Sequence, residues 1–291
     1  MSSRTSREAP VIPGVRRFQE WRVPPALFRE PLFRRAVLAA AVVAAVFLAL
    51  YLARYLGLIA PELWALLQPA LTEGALNTFQ FSLTVIPIGV FLGFLLGWAR
   101  VSGLPVFAWP AGVYIDLIRG IPALILVLFA FFAGPLVFGG RQTFVSGVLF
   151  ALVALAIHTS AYQAEIFRAG FQSVPRGQVE AAQAIGLSSW AAMRHVVLPQ
   201  TFRVALPALG NEFATVIKDT SLLAAIGAAE LVYWGRNSAQ FGLFNYGIIE
   251  WVIIIWLVIA LLYFVITYVL TQIIAAIEHA YRVPGLGTVA Y

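Results

Sequence analysis

Lys218, Asp219, Thr220 and Ser221 stand side by side in an otherwise apolar stretch, with Asn211 and Glu212 about two helical turns before them. Such residue types can hold the charged groups of a solute, an acid taking a cation and hydrogen-bond donors an anion. Asp219 or Glu212 could supply the acid, and Thr220, Ser221 or a free helix N-terminus the donors. A charge at the centre of a membrane helix costs about 3 kcal/mol or more, so such residues mark a solute pathway or a polar network tying spans together. Both readings are open for this cluster. Glu212 and Asp219 would share a helix face, being close to two turns apart. Lys218 and Asp219 are adjacent, do not face each other, and each need a partner.

Two further pairs stand three residues apart, where side chains meet on a helix: Asp116 with Arg119, and Glu165 with Arg168. At the boundary of an apolar run they are expected to be structural ion pairs. His158 lies inside an apolar run and is expected to be hydrogen-bonded within a bundle; His195 is expected on a solvated face. With His279 they are too scattered for a metal site, and no cysteine is present to supply thiolate ligands, nucleophiles or disulfides. The single lysine, Lys218, lies between Ile217 and Asp219. A phosphate-binding loop of the form G-x-x-x-x-G-K-[ST] cannot be built around it. Neither H-E-x-x-H nor G-x-S-x-G occurs. No catalytic residue, metal or cofactor is expected in this chain, so any ATP and magnesium would be bound by a separate subunit.

These residues sit among long apolar runs. Hydrophobic residues make up 61% of the chain and charged residues 11%, against about 25% charged in soluble domains, too few to coat a globule in water. Runs near the ~20 residues that cross a bilayer occur at 36–53, 75–99, 120–140, 142–164 and 251–277. A sixth, 204–229, is broken by Pro207, Glu212, Lys218 and Asp219. The expectation is an all-α integral membrane protein of about six transmembrane helices, the fifth interrupted.

Arginine sets the orientation. Eight arginines precede residue 36, and threading six spans places fifteen on that side and three, Arg54, Arg141 and Arg236, on the other. Both termini are then cytoplasmic, in a multi-pass protein of the cell (inner or plasma) membrane. Residues 1–35 read as a basic tail and 36–58 as an additional N-terminal helix, retained rather than cleaved as a signal. Gly89, Gly93 and Gly97 give one helix a face of small residues for close packing, inside the subunit or across a dimer. No inverted repeat is visible, and membrane lipid rather than nucleic acid is the expected surroundings.

On the inner side, residues 178–199 read QVEAAQAIGLSSWAAMRHVVLP. Two short helical stretches, 178–185 and 188–197, flank Gly186-Leu187. Glycine adopts the positive φ of a sharp turn, Ser188 or Ser189 can cap the second stretch, and Pro199 should stop it. The expected product is a compact helix–turn–helix outside the bilayer. Ala181, Ala182 and Ala184 would admit another surface closely, and Glu180 adds a fixed charge.

Glu180-Ala181-Ala182, Gly186, Val196 and Leu198-Pro199 resemble the EAA loop of ABC importer permeases, with valine at 196 where that family usually has isoleucine. YIDLIRGIP at 114–122, AYQAEIFRAG at 161–170, GQVE at 177–180 and KDTSL at 218–222 are similar, in order, to segments of the polar amino acid branch. That branch more often has Glu at the position of Asp116 and Thr at that of Ile121. The resemblance implies a type I ABC importer transmembrane domain over 71–281, with the coupling helix in loop 178–199. Glu180, Ala181, Ala182, Gly186 and Leu187 would dock an ATPase subunit. It also implies a second permease subunit (homo- or heterodimer), an extracytoplasmic solute-binding protein, and alternating access that imports a polar amino acid. The span at 36–53 is additional to the usual five-span core. A different small polar solute is the nearest alternative. A proton-coupled secondary transporter using Asp219 or Glu212 has no use for 180–199, and a non-transporting scaffold none for a charged span.

Overall fold

The computed structural model describes residues 31–280, so residues 1–30 of the expected basic tail lie outside the described residues. Every element among the described residues is helical. Hydrocarbon imposes this, because each backbone N–H and C=O must find its partner within the segment.

Helix α1 (Pro31–Tyr55) is followed by α2 (Pro61–Pro69), a π turn (Ala70–Gly74) and α3 (Ala75–Val101); the last three form one apolar helical run of 41 residues. Then come α4 (Pro105–Gly120), α5 (Ala123–Val137), α6 (Phe144–Gln172) and α7 (Arg176–Ala184). Next, α8 (Ser189–Ala192), a second π turn (Met193–Val197), α9 (Leu198–Asp219) and a 3-10 turn (Thr220–Ile226) run on without a break. Helices α10 (Leu231–Tyr246) and α11 (Ile249–Ala280) complete the bundle.

Four helical runs are long and apolar enough to cross a membrane, in α1, α2–α3, α6 and α11, or five if α4 and α5 make one bent span. The remaining expected span is α9, which carries Arg203, Glu212, Lys218 and Asp219 and is strongly amphipathic. The run at 120–140 differs from expectation. Pro122 disfavours helical geometry at the residue before it, and Ile121 is extended at φ −100°, ψ 130°. The chain bends by 99° there. Helix α5 has 15 residues, about 22 Å of rise, short of the ~30 Å hydrocarbon core. Helix α4 must complete that crossing.

Helix α6 is the centre of the bundle, packed by α3, α4, α5 and α9. Lipid offers little hydrophobic drive for helices to associate, so close backbone approach and interhelical hydrogen bonds hold them. The glycine face of α3 provides that approach. A Cβ on Gly89 would lie 2.6 Å from Thr159 Cγ2, one on Gly93 2.7 Å from Gln163 Cβ, and one on Gly97 2.7 Å from the Ala164 carbonyl oxygen. The face is therefore consumed inside the subunit, against α6. Helix α1 packs on α11, with an edge-to-face Tyr51–Trp64 contact of 4.7 Å beside it.

Candidate functional site

Helix α7 ends in a Schellman turn. Gly186, at φ +93°, donates to the Gln183 carbonyl (2.9 Å) while Leu187 N–H donates to that of Ala182 (3.1 Å). Ser188 then caps the next helix, its hydroxyl accepting from Ala191 N–H at 3.2 Å. Ala182 is buried, whereas Glu180, Ala181 and Gly186 are exposed and Leu187 half-buried. Ile185 is 81% exposed, and His195 also faces outward. Trp190 is exposed yet stacks on Trp98 of α3 at 6.2 Å. Beyond it Phe94, Phe167, Phe171 and Phe202 tie α3, α6 and α9 together.

Pro199 does not stop the second helix, contrary to expectation. Proline lacks the N–H that an α-helix would direct to residue 195. The preceding turn widens instead: Leu198 N–H bonds to Met193, five residues back. The loop is thus not a detached knob. Its second half is the start of α9, and Gln200 reaches back to Gln178 Oε1 at 2.6 Å.

Along α9 the polar cluster separates. Glu212, half-buried, accepts from Thr159 Oγ1 of α6 at 2.9 Å, and Thr159 accepts from the wholly buried Gln163 at 3.0 Å. Asn211 is exposed. Thr220 is buried and turned onto its own helix, donating to the Ile217 carbonyl at 2.6 Å. Ser221 and Asp219 are half-buried and Lys218 is exposed. Lys218 lines a cavity of about 300 Å³ with Tyr263, Thr267 and Tyr268 of α11. Successive helical residues diverge by 100°, so the run 218–221 cannot converge on one point. Glu212 belongs to the α6–α9 seam, while Asp219 keeps a carboxylate without a hydrogen-bond or ion-pair partner among the described residues.

One buried acid belongs to none of the sequence motifs. Glu230 has no exposed surface. It caps α10, accepting from Val232 N–H (2.9 Å) and Tyr233 N–H (2.7 Å), and takes the Tyr263 hydroxyl at 2.6 Å. Asn77 Nδ2 donates to the neighbouring Ala229 carbonyl at 2.7 Å and Leu231 N–H to Thr78 at 3.2 Å. These bonds pin the joint between the 3-10 turn and α10 to α3 and α11. The available signal was an acid placed just before an apolar helical run.

At the α7 end of the bundle, Arg168 meets Glu165 Oε2 at 2.7 Å. The expected Asp116–Arg119 pair is absent among the described residues. Arg119 lies instead over the Tyr162 ring, 5.2 Å from its centroid, because Tyr162 offers an aromatic face across the α4–α6 contact. His158 has no hydrogen bond among the described residues, also against expectation, and packs on Tyr162 at 5.1 Å. No cluster of three metal-ligating side chains occurs among the described residues.

The loop after α6 thus runs through a Schellman turn into the charged helix α9 of an all-helical membrane bundle. Residues 86–283 match the family of binding-protein-dependent transport system inner membrane components, and the chain belongs to that family, the permeases of ABC importers. Two relatives carry amino acid transport names. The glutamine transport system permease protein GlnP of Escherichia coli (strain K12) is 39% identical over 176 residues, covering 60% of this chain and 80% of that one. The L-cystine transport system permease protein TcyB of Bacillus subtilis (strain 168) is 36% identical over 172 residues, 58% and 72% of the two chains. A crystal structure of an amino acid ABC transporter with histidines superposes with a TM-score of 0.62 at 32% identity, covering 73% of this chain and 94% of that one.

Proposed function

We propose that this multi-pass membrane permease imports a polar amino acid into the cytoplasm by alternating access, powered by a separate ATPase subunit that binds ATP and magnesium. The carrying observation is mechanical. Helix α7, with Glu180 and Ala181 outward, is fixed through a Schellman turn to a helix that continues into α9. A push on α7 is therefore delivered to the helix bearing Glu212 and Asp219. Two permease subunits, alike or different, would rock together, and an extracytoplasmic binding protein would deliver the solute. The arginine distribution supports cytoplasmic termini and an α7 that faces the ATPase.

In this reading Asp219 takes the solute ammonium, since its half-buried carboxylate makes no hydrogen bond or ion pair among the described residues, and Ser221 and Asn211 flank the path. Glu212 has its oxygen engaged by Thr159 and serves the α6–α9 seam first. In proteoliposomes holding the assembled transporter, Asp219→Ala should reduce amino acid uptake at least about tenfold, an interaction loss of about 1.4 kcal/mol or more. Uptake at the wild-type rate would remove Asp219 from the path.

A further inference from the structure

Where α3, α4 and α6 meet near α7, a cavity of about 400 Å³ is lined by Arg100, Asp116, Arg119, Glu165, Arg168 and Gln172. Arg168 is satisfied by Glu165 at 2.7 Å and Gln172 at 2.7 Å. Arg100 and Arg119 make no direct ion pair among the described residues and share only the longer-range field of Glu165: Arg100 donates to the Ala108 carbonyl at 3.2 Å, and Arg119 lies over Tyr162. Asp116 has no hydrogen bond or ion pair among the described residues. Three arginines against two carboxylates leave a net positive cavity. Gly112 makes room for Arg100, because a Cβ there would overlap the guanidinium.

Helix α4 adds a second, independent feature. Val106 (72% exposed), Trp109 (70%), Val113 (46%) and Leu117 (57%) follow one another at intervals of three or four, so they form one outward apolar stripe. Ala111, Ile115 and Ile118 are buried on the opposite face. At 100° per residue, Gly112, Asp116 and Arg119 fall along one edge of the stripe. A cationic cavity thus borders an apolar track, on a helix set at 99° to the next one.

From this juxtaposition we infer a seat for one anionic phospholipid. Its phosphate lies between Arg100 and Arg119, whose planar forks suit phosphate oxygens. A headgroup hydroxyl donates to Asp116, and an acyl chain follows the α4 stripe. A free phosphate would satisfy the cavity and leave the stripe bare; a second copy of the chain would cover the stripe without answering the excess positive charge of the cavity. A lipid answers both, and basic pockets between spans at a membrane surface suit such headgroups.

The test is native mass spectrometry of the full chain from detergent micelles holding equal phosphatidylglycerol and phosphatidylcholine. Wild type is expected to retain phosphatidylglycerol about tenfold over phosphatidylcholine. Arg100→Gln/Arg119→Gln should abolish the preference. Gly112→Ala keeps both charges but displaces Arg100, and should weaken it, which serves if the double variant does not fold. Equal retention of the two lipids by wild type, or an unchanged preference in both variants, would overturn the proposal. Displacement of the lipid by millimolar inorganic phosphate would reduce the seat to an anion site and also overturn it. So would efficient disulfide cross-linking of Val113→Cys between copies in native membranes; the chain contains no other cysteine.

Discussion

A carboxylate can be wholly buried at tolerable cost only when its oxygens find donors. Glu230 does, with two backbone N–H groups and the Tyr263 hydroxyl. Glu230→Ala removes the cap of α10 and leaves three donors without an acceptor. It is expected to cost about 2–4 kcal/mol, whereas Tyr263→Phe, which removes one bond, should cost about 1–2 kcal/mol. Thermal unfolding in detergent reads both, and equal melting temperatures for Glu230→Ala and wild type would contradict the assignment. Gly186 was legible in the sequence because a glycine between two helical stretches has one obvious use, a positive φ. Glu230 was not. Glutamate is an uncommon cap, and its partner Tyr263 is 33 positions away, a contact only the fold creates. The same holds for Thr159, whose bond to Glu212 spans 53 positions.

Helices carry the next set of consequences. The α3–α6 seam depends on missing side chains, so Gly93→Val should force the helices apart at a cost of about 1–3 kcal/mol, visible as a lowered melting temperature; no change would mean the seam is loose. The small-residue face itself was readable from its spacing, but its partner was not, since close packing looks alike within a subunit and across a dimer. Proline breaks an α ladder, which makes Pro199 an expected stop, and the widened turn at Met193–Val197 evades that rule. This turn lies between α8 and α9. Deleting Arg194 should return it to α geometry and rotate the loop by about 100° relative to α9. The expected result is ATP hydrolysis with little uptake, measured as the ratio of the two; a wild-type ratio would show that the turn does not govern coupling. The sequence places Asp116 and Arg119 on a helix but leaves its start unmarked, although Pro105 in its first turn is a recognised helix-start signal.

At the scale of the molecule, composition and arginine placement already demanded a helical membrane bundle, and the order of short motifs indicated its family. What they did not convey is the path of force: a continuous helix from the loop to Asp219, braced by stacked aromatics on α3 and α6. On the proposed function, the outward face of α7 is where the ATPase would engage. The most direct test is ATP hydrolysis by the ATPase subunits reconstituted with this chain in proteoliposomes, with and without binding protein and amino acid, for wild type and Glu180→Ala. Several-fold stimulation by loaded binding protein in wild type, and its loss in the variant, is the expected result. No association with the ATPase, or hydrolysis indifferent to both the binding protein and Glu180, would contradict it.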